Sequence, residues 1–539
     1  MLIRTVSLYL NTLRYTKPKQ IWFRLFFLIR GIFRKITRFK YFTAVAKESS
    51  QLTMLPSIFI PRKSLNYPTN NKSLYPIDFA FLNKTKCFDK IDWNFSEHGK
   101  LWQYNLNYFD FLNQNDVGFD YGKMLMEDFC QNINRIRNGH EPYPTSLRII
   151  NWIKFFSRYR NNNRELSNAL YRQVLMLYDN LEYHLMGNHL LENGFALLFA
   201  AYFFQDVKFY KKAKEIIVSE LKEQILADGG HFELSPMYHQ IILFRLLDAI
   251  NLVKQNGFMN HELLDILIEK ASRMLNWLNI ISFEDGSIPL LNDSANGIAP
   301  NTSELNEYAI ALGVTSRTSH LTIPLNESGY RKVKTEHYEA IIDVGNIGPD
   351  YIPGHAHADT LSFELLVDGN PFIVDTGTST YEDNEMRYWQ RSTKAHNTVT
   401  INEQNSSEVW KSHRVARRAK IIKLEENKGV IEASHDGYKN IGAVHTRKFE
   451  FTNNSIVIQD KIDSDNRGYY CHAYLHFSPG IEPIINNSII KIGKNSVRFD
   501  GADAIWVEDY EYAPEFNRLI PAKMVIAAFK KTLRTSIHI

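Results

Sequence analysis

Cysteine is scarce in this sequence, and its few residues are far apart. Cys87, Cys130 and Cys471 are the three cysteines among 539 residues, and no two of them form a Cys-x-x-Cys pair. An odd and scattered set argues against a disulfide framework and against a thiolate zinc site. It leaves the compartment open, because large periplasmic enzymes can also contain few cysteines.

The sequence also lacks a long uncharged apolar run. A membrane-spanning helix needs about 20 nearly uncharged residues, and the apolar stretch from Ile21 to Phe33 is interrupted by Arg24 and Arg30. No clear signal peptide is present, because a clean apolar core followed by a small-residue cleavage site is missing. We expect a cytoplasmic protein or one peripheral to the inner membrane, with a periplasmic location as the alternative.

Acidic residues are absent from the first 47 positions, which contain eleven lysines and arginines. This pattern predicts a basic N-terminal segment, residues 1–50, that rests either on a membrane surface or on the body of the protein. The net charge of the whole chain is only +4. We expect no nucleic-acid partner, and the sequence does not indicate an oligomeric state.

Apolar residues at helical spacing dominate the first two-thirds of the chain. The long segments with this pattern are Ile149 to Phe156, Leu166 to Leu181, His189 to Phe204, Val207 to Leu226, Tyr238 to Gln255 and Glu262 to Ile281. Several are apolar on more than one side, which is typical of helices packed between two helical layers. Successive helices without intervening strands indicate a bundle, a solenoid or a toroid.

Alternating patterns replace the helical ones near Ser328. The side chains of Leu361, Phe363, Leu365 and Val367 alternate with others, and further predicted strands follow to the end of the chain. This pattern predicts a large antiparallel β-sandwich. The sequence therefore predicts a multidomain α+β protein, with a helical domain over residues 51–327 and a β-domain over residues 328–539.

The densest cluster of polar residues is Gly354-His355-Ala356-His357-Ala358-Asp359, just before the strand at Leu361. In an extended segment His355 and His357 point to the same side. Asp375 and His396 follow at the ends of later predicted strands. Two histidines and one carboxylate, His357, Asp375 and His396, would suit zinc with an open fourth position, whereas surface histidines on a strand are the alternative.

Three further clusters lie at predicted helix starts. Asn188, His189 and Glu192 open one apolar helix, where Asn188 is also a natural N-cap. The segment from Glu233 to His239 contains Ser-Pro, which marks a helix start, and places Tyr238 and His239 in the first turn. Arg148 and Trp152 could bind a carboxylate and stack on a sugar ring, or Trp152 could be buried. These clusters supply the candidate substrate-binding residues Arg148, Trp152, Glu192, Glu233 and His239.

These motifs resemble the heparinase II/III family and its alginate lyase relatives. The resemblance rests on Asn-His-x-x-Glu, then Glu-x-Ser-x-x-Tyr-His, then His-Ala-His-Ala-Asp, in that order, and covers roughly Leu101 to the end. It implies an incomplete α/α toroid followed by an antiparallel β-sandwich, with the active site between them. It also implies a polysaccharide lyase that acts on an anionic, uronic-acid-containing glycan.

The resemblance assigns roles to individual residues. Tyr238 matches the tyrosine that acts as general acid and, in some members, as base. Asn188 and His189 match the pair that contacts the substrate carboxylate, and His355 matches a catalytic or charge-neutralising histidine. The residues that match the ligands of a structural Zn2+ are His357, Asp375 and His396, whereas Glu192 and Arg148 resemble substrate-positioning residues.

β-Elimination requires these residue types because the C5 proton of a uronate is very weakly acidic. Hydrogen bonds or an imidazolium at the carboxylate stabilise the enolate-like intermediate, and a tyrosine can transfer the proton if nearby positive charge lowers its phenol pKa. Asp293 and Glu233 leave hydrolysis as an option. Two other functions stay open, namely surface-polysaccharide biosynthesis or remodelling with altered activity, and glycan binding without catalysis.

Overall fold

The computed structural model describes residues 2–37, 45–46, 49–55, 63–67, 75–160, 163–259, 262–315, 325–464 and 468–539. Part of the predicted basic segment, including Arg38, Lys40 and Lys47, lies outside the described residues. No helix among the described residues combines the length and the apolar character that crossing a bilayer requires.

Helices fill most of the chain up to residue 311. Within the described ranges they are α1 Leu2–Leu13, α2 Pro18–Thr37, α3 Lys100–Tyr108, α4 Phe119–Asn132, α5 Pro142–Tyr159, α6 Arg164–Asp179, α7 Gly187–Phe204, α8 Val207–Gln224, α9 Pro236–Gln255, α10 Glu262–Ile281, α11 Thr302–Ala311 and α12 Glu385–Gln390. Side-chain caps start several of them, because Asn163, Asp206 and Ser235 accept hydrogen bonds from backbone amides of the following turn. The six helices predicted from periodicity are confirmed.

Helix α7 forms the centre of the helical part. All of its side chains except that of His189 are buried, and it packs against α5, α8 and α9. Asp228-Gly229-Gly230 turns the chain between α8 and α9, and Gly229 has a φ of +95° there. A Cβ at Gly229 would lie 2.2 Å from the carbonyl oxygen of Arg273, so that glycine is required. A helix buried on all sides is the packing that the apolar pattern predicts.

Strands account for most of the remaining regular secondary structure. They are β1 Leu65–Asn66, β2 Ile77–Phe81, β3 Lys84–Phe88, β4 Tyr330–Lys334, β5 Tyr338–Asp343, β6 Phe363–Val367, β7 Asn370–Ile373, β8 Val399–Ile401, β9 Val409–Trp410, β10 Arg414–Val415, β11 Ile421–Asn427, β12 Val430–His435, β13 Ala443–Phe451, β14 Ser455–Ser464, β15 Cys471–His476, β16 Ile484–Asn486, β17 Ile489–Ile492, β18 Asn495–Asp500, β19 Ala504–Glu515, β20 Arg518–Phe529 and β21 Thr532–His538.

Besides the two-stranded antiparallel sheet of β9 and β10, three larger antiparallel sheets build the β part. Their strand orders are β4-β5-β6-β7, β19-β20-β15-β8 and β11-β12-β13-β14-β21-β18-β17-β16. Alternate residues of all three sheets, such as Ile342, Val399 and Ile458, meet in one apolar core. The predicted change from helices to antiparallel strands is therefore confirmed at this coarse level.

The N-terminal part differs from the prediction in one respect. Strands β1, β2 and β3 form a small antiparallel sheet inside the region predicted to be helical. Its Phe79 and Phe81 pack into the helical core against Phe111 and Trp102. The hairpin turn at Leu82 and Asn83 has positive φ at both residues, as a type I′ turn requires.

Candidate active site

The candidate site lies where two helix starts meet the loop before β6. Helix α7 begins with Gly187 and provides Asn188 and His189, whereas α9 begins with Pro236 and provides Tyr238. The loop of residues 354–359 provides His355. The rings of Tyr238 and His355 lie in contact, with their centroids 3.8 Å apart.

Asn188 faces this site and does not cap its helix. The N-cap position is Met186, which has a φ of +66° and provides no side-chain hydrogen bond. Asn188 Nδ2 instead donates to Glu233 Oε2 at 3.2 Å, and His355 Nε2 lies 3.6 Å from the same oxygen. The interpretation of Asn188 as a simple N-cap is therefore wrong.

Glu233 is buried beneath these contacts. Its Oε1 and the Oδ1 of Asn188 are both buried without a hydrogen-bond partner in the structure. Burial raises the pKa of Glu233, although His355 and Asn188 oppose the shift. A buried amide and a carboxyl group with unused hydrogen-bonding atoms can accept or donate hydrogen bonds to an entering ligand.

Tyr238 is partly buried at the start of α9. Ser235 fixes the position of Tyr238 because its hydroxyl accepts from the Tyr238 amide at 3.2 Å and donates to the Asp293 carbonyl at 2.7 Å. Burial, and then the phenol of Tyr381 3.4 Å away, raises the pKa of Tyr238 well above its usual value. No positive charge among the described residues brings the pKa of Tyr238 below its usual value, so the phenol keeps its proton at neutral pH and is suited to the role of an acid.

Asp293 binds the ring nitrogen of His355 that faces away from Glu233. Its Oδ2 is hydrogen-bonded to His355 Nδ1 at 2.9 Å, and its Oδ1 to His357 Nε2 at 2.8 Å. The guanidinium of Arg387 binds both oxygens of Asp293. Despite burial, Arg387 and the two histidines hold the pKa of Asp293 well below its usual value. Because Asp293 is an ionised acceptor, it favours the tautomer of His355 with a proton on Nδ1 and a bare Nε2.

His189 is more exposed than Asn188 and His355. Its side chain is 32% exposed, its Nδ1 lies 3.0 Å from Glu182 Oε1, and its ring contacts Tyr143. Burial works against the protonation of His189, but the carboxylate of Glu182 outweighs it and raises the pKa. A cationic His189 suits the binding of a substrate carboxylate.

Two predicted substrate-binding residues are not brought to the site. Arg148 is fully buried, and its guanidinium donates to Gln173 and to the backbone carbonyls of Asn107 and Gly139. Trp152 is also fully buried, next to the rings of Phe109 and Phe129. Neither side chain has a surface open to a sugar, so the predicted substrate contacts of Arg148 and Trp152 are corrected to structural roles.

Glu192 and His239 are likewise buried and cannot contact a ligand. Glu192 is buried and paired with Arg245, whose Nε lies 3.1 Å from its Oε2. His239 is buried, with its Nε2 2.9 Å from the Met274 carbonyl oxygen and its ring against Trp277. Burial lowers the pKa of His239 to about 3. Of the five predicted substrate-binding residues, Glu233 is the one whose side chain makes polar contacts with the catalytic candidates, Asn188 and His355.

The predicted zinc ligands lie close together behind the site. The rings of His357 and His396 are 5.2 Å apart, and His396 Nδ1 is hydrogen-bonded to Asp375 Oδ2 at 2.6 Å. The remaining ring nitrogens, His357 Nδ1 and His396 Nε2, are buried without hydrogen-bond partners. These bare nitrogens fit a metal chemically. However, no three His, Cys, Asp or Glu side chains of the described residues converge as a complete set of ligands.

Three residues near this site, Tyr381, Arg387 and His413, were not predicted from the sequence. Tyr381 and His413 lie beside His355, and Arg387 binds Asp293, which holds His355. The ring of His413 lies 6.1 Å from that of His355 and 5.1 Å from that of Tyr381. Tyr381 also lines a groove of about 570 Å³ that runs toward the small N-terminal sheet. No sequence spacing marks these residues as part of a site, and their proximity to His355 is evident only from the fold.

The basic run from Lys411 to Lys420 is used within the chain. Arg417 pairs with Glu408, Arg418 with Asp350, and Arg414 lies over the rings of Tyr9 and Trp410. These contacts favour a structural role over the attraction of a polyanion.

Two family models match consecutive parts of the chain. Residues 141–312 match the heparinase II/III N-terminus, and residues 317–539 match the heparinase II/III-like C-terminal domain. Among curated proteins, the heparin-sulfate lyase of Bacteroides stercoris is 27% identical over 313 residues, which is 53% of this chain and 45% of the relative. The heparin-sulfate lyase of Pedobacter heparinus is 26% identical over 54% of this chain and 46% of the relative. The chain thus aligns with less than half the length of these curated relatives.

Solved structures share the fold at lower identity. A heparinase III structure has a TM-score of 0.63 and 18% identity, over 83% of this chain and 79% of that one. A chondroitinase AC lyase has a TM-score of 0.52 and 10% identity, over 84% of this chain and 77% of that one.

Proposed function

Because the chain belongs to the heparinase II/III family, we propose that it is a polysaccharide lyase that cleaves a uronic-acid-containing glycan by β-elimination. The observation that carries this proposal is the contact between the rings of Tyr238 and His355, 3.8 Å apart at their centroids, beside Asn188 and Glu233. An acid and a base side by side, with carboxylate-binding groups next to them, are what this elimination needs.

The proposed reaction begins with neutralisation of the substrate carboxylate. Asn188 provides the second hydrogen of Nδ2, beside the one that it donates to Glu233, and His189 provides an imidazole whose raised pKa favours the cationic form. Their hydrogen bonds stabilise the negative charge that develops on the carboxylate as the C5 proton leaves.

Proton transfer is then divided between two side chains. His355 Nε2 accepts the C5 proton, the released electron pair forms the C4–C5 double bond, and the C4–oxygen bond breaks. Tyr238 donates its proton to the departing glycosidic oxygen. Asp293 stabilises the imidazolium of His355 through the hydrogen bond to Nδ1. Asp293 itself is held by three partners deep in the protein, which argues against its use as a hydrolytic carboxylate.

The finer architecture is part of the same proposal. We propose that the helices form an incomplete α/α toroid and the sheets a β-sandwich, so that the substrate lies between them. Helix α7, which is almost entirely buried and packs against α5, α8 and α9, supports a layered arrangement of helices.

We also propose that His357, Asp375 and His396 bind a structural zinc ion, with the bare nitrogens of the two histidines as ligands. Asp375 would exchange its hydrogen bond to His396 Nδ1 for the metal, because the three side chains do not converge as they stand. Zinc there would cross-link the loop that carries His355 to the end of β7 and the start of β8, without a part in the proton transfer. We expect about one zinc per chain by elemental mass spectrometry, and we expect its loss in His396→Ala. His445→Ala, which removes a buried histidine outside this set, is the control. A metal-free wild type, or zinc retained in His396→Ala, would contradict the assignment.

The proposed function is tested by the ultraviolet absorbance of a 4,5-unsaturated uronate. Purified protein is incubated with heparin, heparan sulfate, chondroitin sulfate, alginate and glycans of the source organism. We expect absorbance to rise with at least one of them. New reducing ends without absorbance would mean hydrolysis, and the absence of any cleavage would favour the biosynthetic or glycan-binding alternatives.

A further inference from the structure

The N-terminal helices expose an unusual amount of apolar surface. More than half of the large apolar side chains that are exposed in the described part of the chain lie between Val6 and Ile36. On α2, Trp22, Ile29, Phe33 and Ile36 are 65%, 66%, 63% and 75% exposed. Contiguous apolar patches of this kind mark interaction surfaces in proteins.

Helix α2 is placed with its polar face toward the protein. Gln20 donates to the Leu185 carbonyl at 3.0 Å, and Arg30 donates to Asn180 at 2.5 Å. Arg34 pairs with Asp179, and Lys17 pairs with Glu223. A surface helix in water buries its apolar stripe and exposes its polar one. Helix α2 instead leaves an apolar stripe exposed and turns Gln20, Arg30 and Arg34 toward the protein, where their bonds fix its orientation. Phe23 and Phe27 pack on the same inner side, against Tyr183 and His184.

The exposed apolar residues of α2 form one continuous surface. Trp22, Leu25, Ile29, Ile32 and Ile36 recur every three or four residues and therefore line one side of α2. The docked residues, Gln20, Phe23, Phe27, Arg30 and Arg34, recur at the same spacing on the other side. We define the outward side, Trp22 to Ile36, as the α2 apolar face.

The charged residues of the two N-terminal helices, α1 and α2, have a single sign. Arg14, Lys19, Arg24 and Lys35 are exposed on or beside α2, and no acidic residue occurs before Glu48. An apolar stripe with Trp and Phe and flanking cations is the pattern of a helix that lies in the interface of an anionic bilayer. A partner protein would need no such uniform charge.

We propose that the α2 apolar face inserts into the surface of an anionic phospholipid membrane and holds the protein there peripherally. The apolar side chains enter the boundary between headgroups and acyl chains, while Arg24 and Lys35 contact lipid phosphates. The contacts of α2 with Asp179, Asn180 and Leu185 transmit this anchoring to the helical part of the protein. This inference goes beyond the proposed lyase activity and does not depend on it.

The test is sedimentation of the full chain with vesicles of phosphatidylcholine, with and without phosphatidylglycerol. We expect binding to the anionic vesicles and weak binding to the neutral ones. The triple variant Ile29→Gln, Ile32→Gln, Ile36→Gln should lower the partition coefficient by roughly tenfold or more. The matched control is Ile310→Gln, Ile422→Gln, Ile484→Gln, which changes three similarly exposed isoleucines elsewhere and should bind as wild type does.

A second variant tests the charge independently. Arg24→Glu with Lys35→Glu should weaken binding to anionic vesicles by roughly fivefold or more for each reversed cation, and added salt should weaken wild-type binding. The proposal is overturned if wild type stays in solution with anionic vesicles, if neutral vesicles bind equally well, or if the triple variant equals its control. Lipid-free self-association that the triple variant abolishes, without vesicle binding, would assign the face to a second copy of the chain.

Discussion

Tyr238→Phe is expected to reduce kcat of the elimination by roughly 100- to 10,000-fold. The substitution removes the proposed donor to the glycosidic oxygen and keeps the ring that lies 3.8 Å from that of His355. Substrate binding should change little, because Asn188 and His189 still hold the carboxylate. Initial rates of absorbance increase over a range of substrate concentrations separate kcat from KM.

The matched control is Tyr159→Phe. This substitution also removes one phenolic hydroxyl, which donates a hydrogen bond to the Val117 carbonyl oxygen at 2.6 Å within the helical part. That variant should keep wild-type kinetics. A Tyr238→Phe enzyme that turns over its substrate within about threefold of wild type would leave Tyr238 without the role of general acid.

Helix positions could be predicted closely from the sequence because the spacing of apolar residues reflects which helix faces are buried. The segment His189 to Phe204, apolar on more than one side, corresponds to α7, which is buried all round. The small sheet was missed because its turn, Leu82-Asn83, lacks the Asn-Gly pair that marks two-residue hairpins. Sheet order was also beyond prediction, since β14, which ends at Ser464, pairs with β21, which begins only at Thr532.

The candidate site could be predicted in part. Motif order identified Asn188, Tyr238 and His355, and the fold brings them to one place. Motifs do not reveal which side of a helix faces the cleft, which is why Arg148 and Trp152 on the buried α5 were assigned to substrate. The pKa of Tyr238 depends on depth of burial and on Tyr381, and neither is visible in a local pattern.

Arg447→Met is expected to lower the free energy of unfolding by about 3–5 kcal/mol. Arg447 is buried on β13, where its Nε donates to Asp460 Oδ1 at 2.7 Å and its Nη2 to Oδ2 at 3.0 Å. Its Nη1 also binds the carbonyl oxygens of Leu361 and Asn397, which flank the loops of the site. The substitution leaves a buried carboxylate unpaired and two carbonyls without their donor. Urea unfolding and calorimetry measure the loss.

The control is Arg498→Met, which removes an arginine from an exposed pair with Asp500. That change should cost less than about 1 kcal/mol, because solvent already screens the pair. Equal effects of the two substitutions would contradict the role of burial.

The destabilisation by Arg447→Met should depend on pH in a defined direction. Burial alone would raise the pKa of Asp460, but Arg447 and His445 lower it to about 2 in the folded protein. An unfolded aspartate has a pKa of about 3.9. The ionised pair therefore contributes stability at neutral pH and loses it as the pH falls from about 4 toward about 2. Without Arg447 the folded carboxyl is protonated more readily, so the difference between wild type and variant should shrink from neutral pH toward pH of about 3. A difference that grows on acidification would show that Arg447 does not act through Asp460.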